Sequence, residues 1–180
     1  MRTHAAVNVA LTGFMGAGKT TAGKRLARLL GLPFADTDAE VESACGKIAE
    51  IFEREGEPAF RRYESEAIAR LCGGVPCVIA VGGGAVLNAD NRAVLRKNGC
   101  IVNLALKPET VYRRVAHRSH RPLLGPAPTI ETIRAIMRER EAAYADNDLS
   151  IAVDSKTPSA VAHIIARWYR RRLDPSGETT

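Results

Sequence analysis

Apolar and polar positions along the chain switch between two patterns. Ala5 to Leu11 is a short, mostly apolar run without helical spacing, as expected of a strand covered on both faces in a parallel sheet. It ends at Gly13. From Lys19 to Leu30 the apolar residues Ala22, Leu26, Leu29 and Leu30 recur at helical spacing, Lys24, Arg25 and Arg28 face away, and Gly31 stops the helix. The same order then repeats. Leu32 to Ala35 predicts a short strand, followed by helical segments through Val41, Ile48, Ile51 and Phe52 that break at Gly46 and Gly56, and by a helix near Pro58 to Leu71. Val75 to Val81 predicts a strand running into Gly82, Gly83 and Gly84, Asp90 to Lys97 a helix, and Cys100 to Leu106 a fourth strand. Pro108 suits the first turn of a helix through Arg118. Ser119 to Thr129, with three prolines and one glycine, predicts a loop. Thr129 to about Tyr144 is helical by the spacing of Ile130, Ile133, Ile136 and Met137, and Leu149 to Val153 makes the last strand. Thr157 and Pro158 start a closing helix with Val161, Ile164, Ile165 and Trp168 as its buried stripe. Strands alternating with helices imply an α/β fold: a parallel sheet with right-handed crossovers and helices on both faces. One domain over residues 1–173 and a disordered tail over 174–180 are expected.

Length and composition support a single folded unit. A chain of 180 residues, 46% hydrophobic and 26% charged, has room for one real core and not two. Its 26 Lys and Arg against 20 Asp and Glu leave a formal charge of +6. A nucleic-acid surface would cluster that charge with interleaved aromatics, yet only 5% of residues are aromatic and the arginines are scattered through helices. A solvated surface and a cleft that gathers small anions remain. Cys45, Cys72, Cys77 and Cys100 contain no C-x-x-C pair and no His at zinc spacing, so buried free thiols are expected. No run of about 18 apolar residues and no signal-peptide pattern is present, which predicts a cytoplasmic chain with no membrane partner.

The segment Gly13-Phe14-Met15-Gly16-Ala17-Gly18-Lys19-Thr20 matches G-x-x-x-x-G-K-[ST] between a predicted strand and a predicted helix, the setting of a P-loop. Glycines there let backbone N–H groups curl around phosphate oxygens, and the helix N-terminus adds partial positive charge. Gly16, Ala17, Gly18, Lys19, Thr20 and Thr21 are the candidate ATP contacts; Lys19 should reach the β and γ phosphates and Thr20 should coordinate Mg²⁺. Asp36 and Asp38 sit two residues apart at the carboxyl end of the second strand, where open α/β sheets bind ligands. They could cap a helix and face solvent, or one could hold a water of the magnesium shell while the other accepts a hydroxyl proton. Arg61 and Glu64, at i and i+3, share a helix face with the expected core residue Phe60 and on their own read as an ordinary surface ion pair. Gly82 to Gly84 is either a plain loop or a place where another molecule approaches the backbone.

Together these residues resemble the shikimate kinase family. The P-loop, Asp36-Thr37-Asp38, Phe60-Arg61 with Glu64, Gly82 to Gly84, Arg121-Pro122-Leu123-Leu124 and a helical Arg140 follow in the family's order over residues 7–170. The resemblance implies a P-loop kinase fold with a five-stranded parallel sheet, and transfer of the γ-phosphoryl of ATP to the 3-hydroxyl of shikimate with Mg²⁺ as cofactor. It implies Asp38 as base, Asp36 as support of the metal through water, and Arg61 and Arg140 as clamps on the substrate carboxylate, a task suited to the bidentate guanidinium fork. Glu64 would orient Arg61, and Gly82, Gly83 and Gly84 would meet the substrate. Arg121 would stabilise charge in transfer from a lid near residues 113–128, whose closure excludes water. Arg114, Lys156 and Pro158 fall where the family approaches adenine. His117 and His120 read as solvated, His4 and His163 as structural. The expected partners are ATP and shikimate, with no nucleic acid, and the expected state is a monomer. A signalling GTPase would need N-K-x-D, which is not present. A gluconate or nucleotide kinase and a non-catalytic ATP-binding scaffold are the other readings.

Overall fold

The structure is a computed structural model that describes residues 6–115 and 129–174. Five strands form one all-parallel sheet in the order β2-β3-β1-β4-β5: β1 (Asn8–Thr12), β2 (Phe34–Asp36), β3 (Val78–Ala80), β4 (Gly99–Ala105) and β5 (Leu149–Ala152). The helices are α1 (Lys19–Leu30), α2 (Thr37–Cys45), α3 (Ile48–Cys72), α4 (Ala89–Asn98), α5 (Pro108–Val115), α6 (Ile130–Glu139), α7 (Glu141–Ala145) and α8 (Pro158–Leu173). The alternation expected from the sequence is therefore realised.

Strand geometry sends successive side chains to opposite faces. Val9, Leu11, Val78, Cys100 and Val102 accordingly pack with α1 and α8, while Ala10, Ile79 and Ile101 pack with α3 and α4. Both faces are covered, so every position of β1 is buried. A side chain as completely enclosed as Leu26 or Ile165 contributes about 2 kcal/mol of transfer free energy. β1 lies between β3 and β4, and the helices that follow β1 and β3 go to opposite faces of the sheet. A crevice opens between carboxyl ends at such a switch point. The loops after β1, β2 and β3 all empty into it.

Three local expectations change. The closing helix starts as expected, with Thr157 accepting from the Ala160 N–H and Pro158 in its first turn, but its buried face is Val161, Ala162, Ile165, Ala166 and Tyr169. Ile164 is 39% exposed and Trp168 only partly buried, because α8 lies close against α1 through small residues and the larger side chains fall to its flank. His163, read as structural, is an exposed residue whose Nδ1 pairs with the Ser159 carbonyl within its own helix. Gly46 ends α2 and Gly56 breaks the helical run inside α3, both as expected: at φ 78° and ψ 173° Gly56 is not helical, so Ile48–Cys72 is two helical stretches that meet at a kink. The helix expected over Thr129 to Tyr144 is two helices, with Arg140 at the junction at φ −99° and ψ −2°.

Cys72, Cys77 and Cys100 are buried and Cys45 is half-buried, all four as free thiols. Burial pushes the Cys100 thiol up to about 12 and the Cys72 thiol up to about 11, so neither is a nucleophile at neutral pH. Among the described residues no helix is long and apolar enough to cross a membrane.

Candidate active site

Strand β1 ends in the glycine-rich loop that leads into α1. Gly13, Gly16 and Gly18 take φ values of 132°, 80° and 86°, backbone that side chains resist, and Gly18 caps α1 without any side-chain hydrogen bond. The first turn of α1 carries no acidic residue. Its N–H groups and partial positive charge are left for an anion in the cavity. The Lys19 ammonium lies across the loop, donating to the Gly13 carbonyl at 2.8 Å and the Phe14 carbonyl at 3.4 Å. Arg114, from α5, donates to the Gly16 carbonyl at 2.8 Å and braces the outer side of the loop.

This loop forms one wall of a cavity of about 710 Å³. Gly16, Gly18, Lys19, Thr20 and Thr21 line it together with Asp36, Asp38, Arg61, Glu64, Gly83, Gly84, Arg114 and Arg140. Ala17 does not, since its side chain is buried in the core and its N–H turns back to Phe14. Lys156 and Pro158 also lie outside the lining. Arg121, His117 and His120 fall outside the described residues, as do His4 and most of the expected lid.

At the carboxyl end of β2, Asp36 caps a helix, one of the uses foreseen for the pair, and makes a second contact that was not foreseen. Its Oδ1 accepts from the Asp38 N–H at 3.2 Å and caps α2, while its Oδ2 accepts from the Thr20 hydroxyl at 2.7 Å. Asp38 stands one half-turn further, and burial followed by the nearby Asp36 charge raises its carboxyl above the ordinary range, with Lys19 and Arg61 pulling in the other direction. A carboxylate made more basic in this way is suited to accept a proton near neutral pH.

The opposite wall comes from α3. Glu64 is only 1% exposed and receives the Arg61 Nη1 at 2.8 Å; burial raises the Glu64 carboxyl, while the guanidinium holds it down. Arg61 also donates through Nη2 to the exposed Glu57 at 2.8 Å and packs over the Phe60 ring at 5.2 Å. The expected surface ion pair is thus half buried. Each guanidinium nitrogen has a glutamate partner, Nε also reaching Glu57 at 3.2 Å, and the group lines the cavity, where the second N–H of each terminal nitrogen can meet an anion.

The glycine triplet closes this wall for a steric reason. A Cβ on Gly84 would come within 2.6 Å of both terminal nitrogens of Arg61, and one on Gly82 would overlap Glu64 Oε1 and approach Asp38 Oδ1 to 2.7 Å. Gly83 has ordinary clearance, with nothing nearer than 3.8 Å. Gly83 and Gly84 line the cavity; Gly82 stands just behind it. Arg140 enters from the junction of α6 and α7, only 8% exposed, with its guanidinium over the Phe14 ring at 5.6 Å.

Two participants carry no signal that sequence reasoning used. Thr37, fully buried between the two aspartates, accepts the Gly82 N–H at 2.8 Å and ties the second strand to the third. Tyr144 donates its hydroxyl to the Gly83 carbonyl at 2.6 Å. The spacing of Tyr144 four residues after Arg140 would have placed both on one helix face.

A sheet of this order, with a P-loop facing paired carboxylates, defines a P-loop phosphotransferase of small molecules. The shikimate kinase family model matches residues 15–170, and the chain belongs to that family. The shikimate kinase of Moorella thermoacetica is 48% identical over 93% of this chain and 96% of its own. A shikimate kinase from Acinetobacter baumannii, solved in complex with shikimate, superposes with a TM-score of 0.88 at 34% identity, covering 94% of this chain and 96% of that one. A gluconokinase from Sinorhizobium meliloti shares the fold at a TM-score of 0.61 and 16% identity over 97% of each chain.

Proposed function

We propose that this chain transfers the γ-phosphoryl group of ATP to the 3-hydroxyl of shikimate. The observation that carries the reading is one cavity in which a phosphate-binding loop faces a raised-pKa aspartate and two arginines, Arg61 and Arg140. Phosphoryl transfer needs placement and charge stabilisation more than covalent chemistry. The loop N–H groups and Lys19 would bind the phosphates. Asp38 would orient the acceptor hydroxyl and take its proton. Arg61 and Arg140 would grip the carboxylate, held by Glu64 and by the Phe14 ring. Arg121 is read as the lid arginine that stabilises charge on the transferred group.

The pair Thr20 and Asp36 offers a hydroxyl and a carboxylate, the hard oxygen donors that Mg²⁺ takes, so the residues fit that ion. Thr20 would hold it directly and Asp36 through water. Bound there, the ion would supply positive charge that offsets the charge of the phosphates. In this reading the enzyme works as a cytoplasmic monomer on two small molecules, with no nucleic acid or membrane involved. The similarity to the Acinetobacter enzyme solved with shikimate supports that acceptor over gluconate.

ATP consumption measured with shikimate, gluconate and nucleoside monophosphates tests the assignment. Turnover that depends on shikimate and Mg²⁺ is the expected result. Preference for gluconate or a nucleotide would overturn it.

A further inference from the structure

We propose that Tyr144 is a positioning residue that releases Arg140 to bind the acid substrate, by keeping the Gly83 carbonyl paired when the arginine leaves it. This rests on the reading of Arg140 as a carboxylate clamp. Three carbonyls of the glycine turn must be satisfied, and two are satisfied locally: the Ala85 N–H donates to Gly82 at 3.1 Å and the Leu87 N–H to Gly84 at 3.1 Å. The Gly83 carbonyl between them turns the other way. Among the described residues its donors are both side chains from the α6–α7 junction, the Tyr144 hydroxyl at 2.6 Å and Arg140 Nη1 at 3.4 Å.

These two bonds differ in kind. The tyrosine bond has the length of a good O–H···O contact, and the arginine bond is at the weak end of the N–H···O range. The tyrosine therefore carries the carbonyl and the arginine rests on it. Tyr144 is itself anchored, because its N–H donates to the Arg140 carbonyl at 3.0 Å and its ring lies in the partly buried apolar layer beside the core. Burial raises its hydroxyl, which stays a protonated donor across the working range of pH.

The consequence follows from the cost of orphaning a half-buried acceptor at the cavity wall. With Tyr144 present, Arg140 can turn from Gly83 towards a carboxylate and leave no carbonyl unpaired. Without the hydroxyl, Arg140 becomes the remaining donor to Gly83, and moving it to the substrate strands that oxygen. Acid binding should weaken selectively. The start of the turn is held separately by the Thr37 hydroxyl, which accepts the Gly82 N–H, so the turn itself should keep its shape.

The test is Tyr144→Phe, which preserves the ring, assayed beside Arg140→Lys and the double variant. For Tyr144→Phe we expect the KM for shikimate to rise about 5- to 10-fold, the size of one lost hydrogen bond. The KM for ATP, kcat and Tm should stay close to wild type. In the double variant the tyrosine effect should shrink, since the arginine it serves is gone. An unchanged shikimate KM in Tyr144→Phe would overturn the proposal. So would a parallel rise of both KM values with a lower Tm, the mark of a merely structural tyrosine. If Arg140→Lys itself leaves the shikimate KM unchanged, the clamp reading fails and this proposal with it; if only Tyr144→Phe is silent, the clamp stands and the positioning role alone is lost.

Discussion

Glu64 and Arg61 form an ion pair of uneven burial: the carboxylate side chain is 1% exposed, the guanidinium side chain 27% exposed, and they meet at 2.8 Å behind the glycine turn. The glutamate is the fixed member. It holds Nη1 of the arginine from inside the fold, and the exposed Glu57 takes Nε and Nη2 from outside.

Glu64→Gln should therefore raise the shikimate KM more than the ATP KM, because a neutral amide no longer holds the Arg61 guanidinium by charge. Glu57→Gln, at a side chain 48% exposed, should change stability by less than about 1 kcal/mol. Both KM values, with thermal unfolding for Glu57→Gln, measure the contrast. Equal effects of the two substitutions on the shikimate KM would mean that burial does not distinguish the glutamates.

The glycine triplet predicts an order of tolerance. Gly82→Ala forces a methyl group onto Glu64 and Asp38, and Gly84→Ala forces one onto the Arg61 guanidinium, so each should raise the shikimate KM and lower Tm. Gly83→Ala meets no close neighbour and should unfold near the wild-type temperature. Melting curves of the three variants decide the order, and a Gly83 variant less stable than the other two would contradict the packing.

Asp38→Asn should lower kcat by about 10²-fold or more, since an amide cannot accept the hydroxyl proton. The same substitution should stabilise the fold at neutral pH. The folded-state pKa of Asp38 is raised, so the native state binds the proton more tightly than the unfolded chain. Stability from this group is present below the unfolded pKa and is lost as pH rises through the folded one. The Tm advantage of the variant should accordingly be full at neutral pH and shrink as the pH falls through the wild-type folded pKa. The kcat of the wild type should decline on the acid side over that same raised range. A variant with wild-type kcat, or with a Tm advantage that grows in acid, would remove Asp38 from its assigned place.

The P-loop, the two aspartates and the order of strands and helices were legible in the sequence because each rests on neighbours close along the chain. A loop that curls around phosphate needs its glycines at set intervals, and a strand covered on both faces needs an unbroken apolar run. Pairing over longer distances was not legible. Thr37 gives no sign that it holds Gly82, 45 residues away, nor Tyr144 that it holds Gly83, 61 residues away. The periodicity of α6 also ran on past Arg140, although the helix breaks there and the break turns the guanidinium over Phe14. Ile164 looked buried because hydrophobicity was counted, whereas the close approach of α8 to α1 favours Ala162 and Ala166 at the contact. The amino-acid sequence by itself determined the family, the fold class and the phosphate loop, all of which depend on local spacing. Only the tertiary structure decided which glycine is sterically required, which carboxylate is raised and what holds each arginine, because these depend on how closely atoms from distant segments approach and how far they are removed from water.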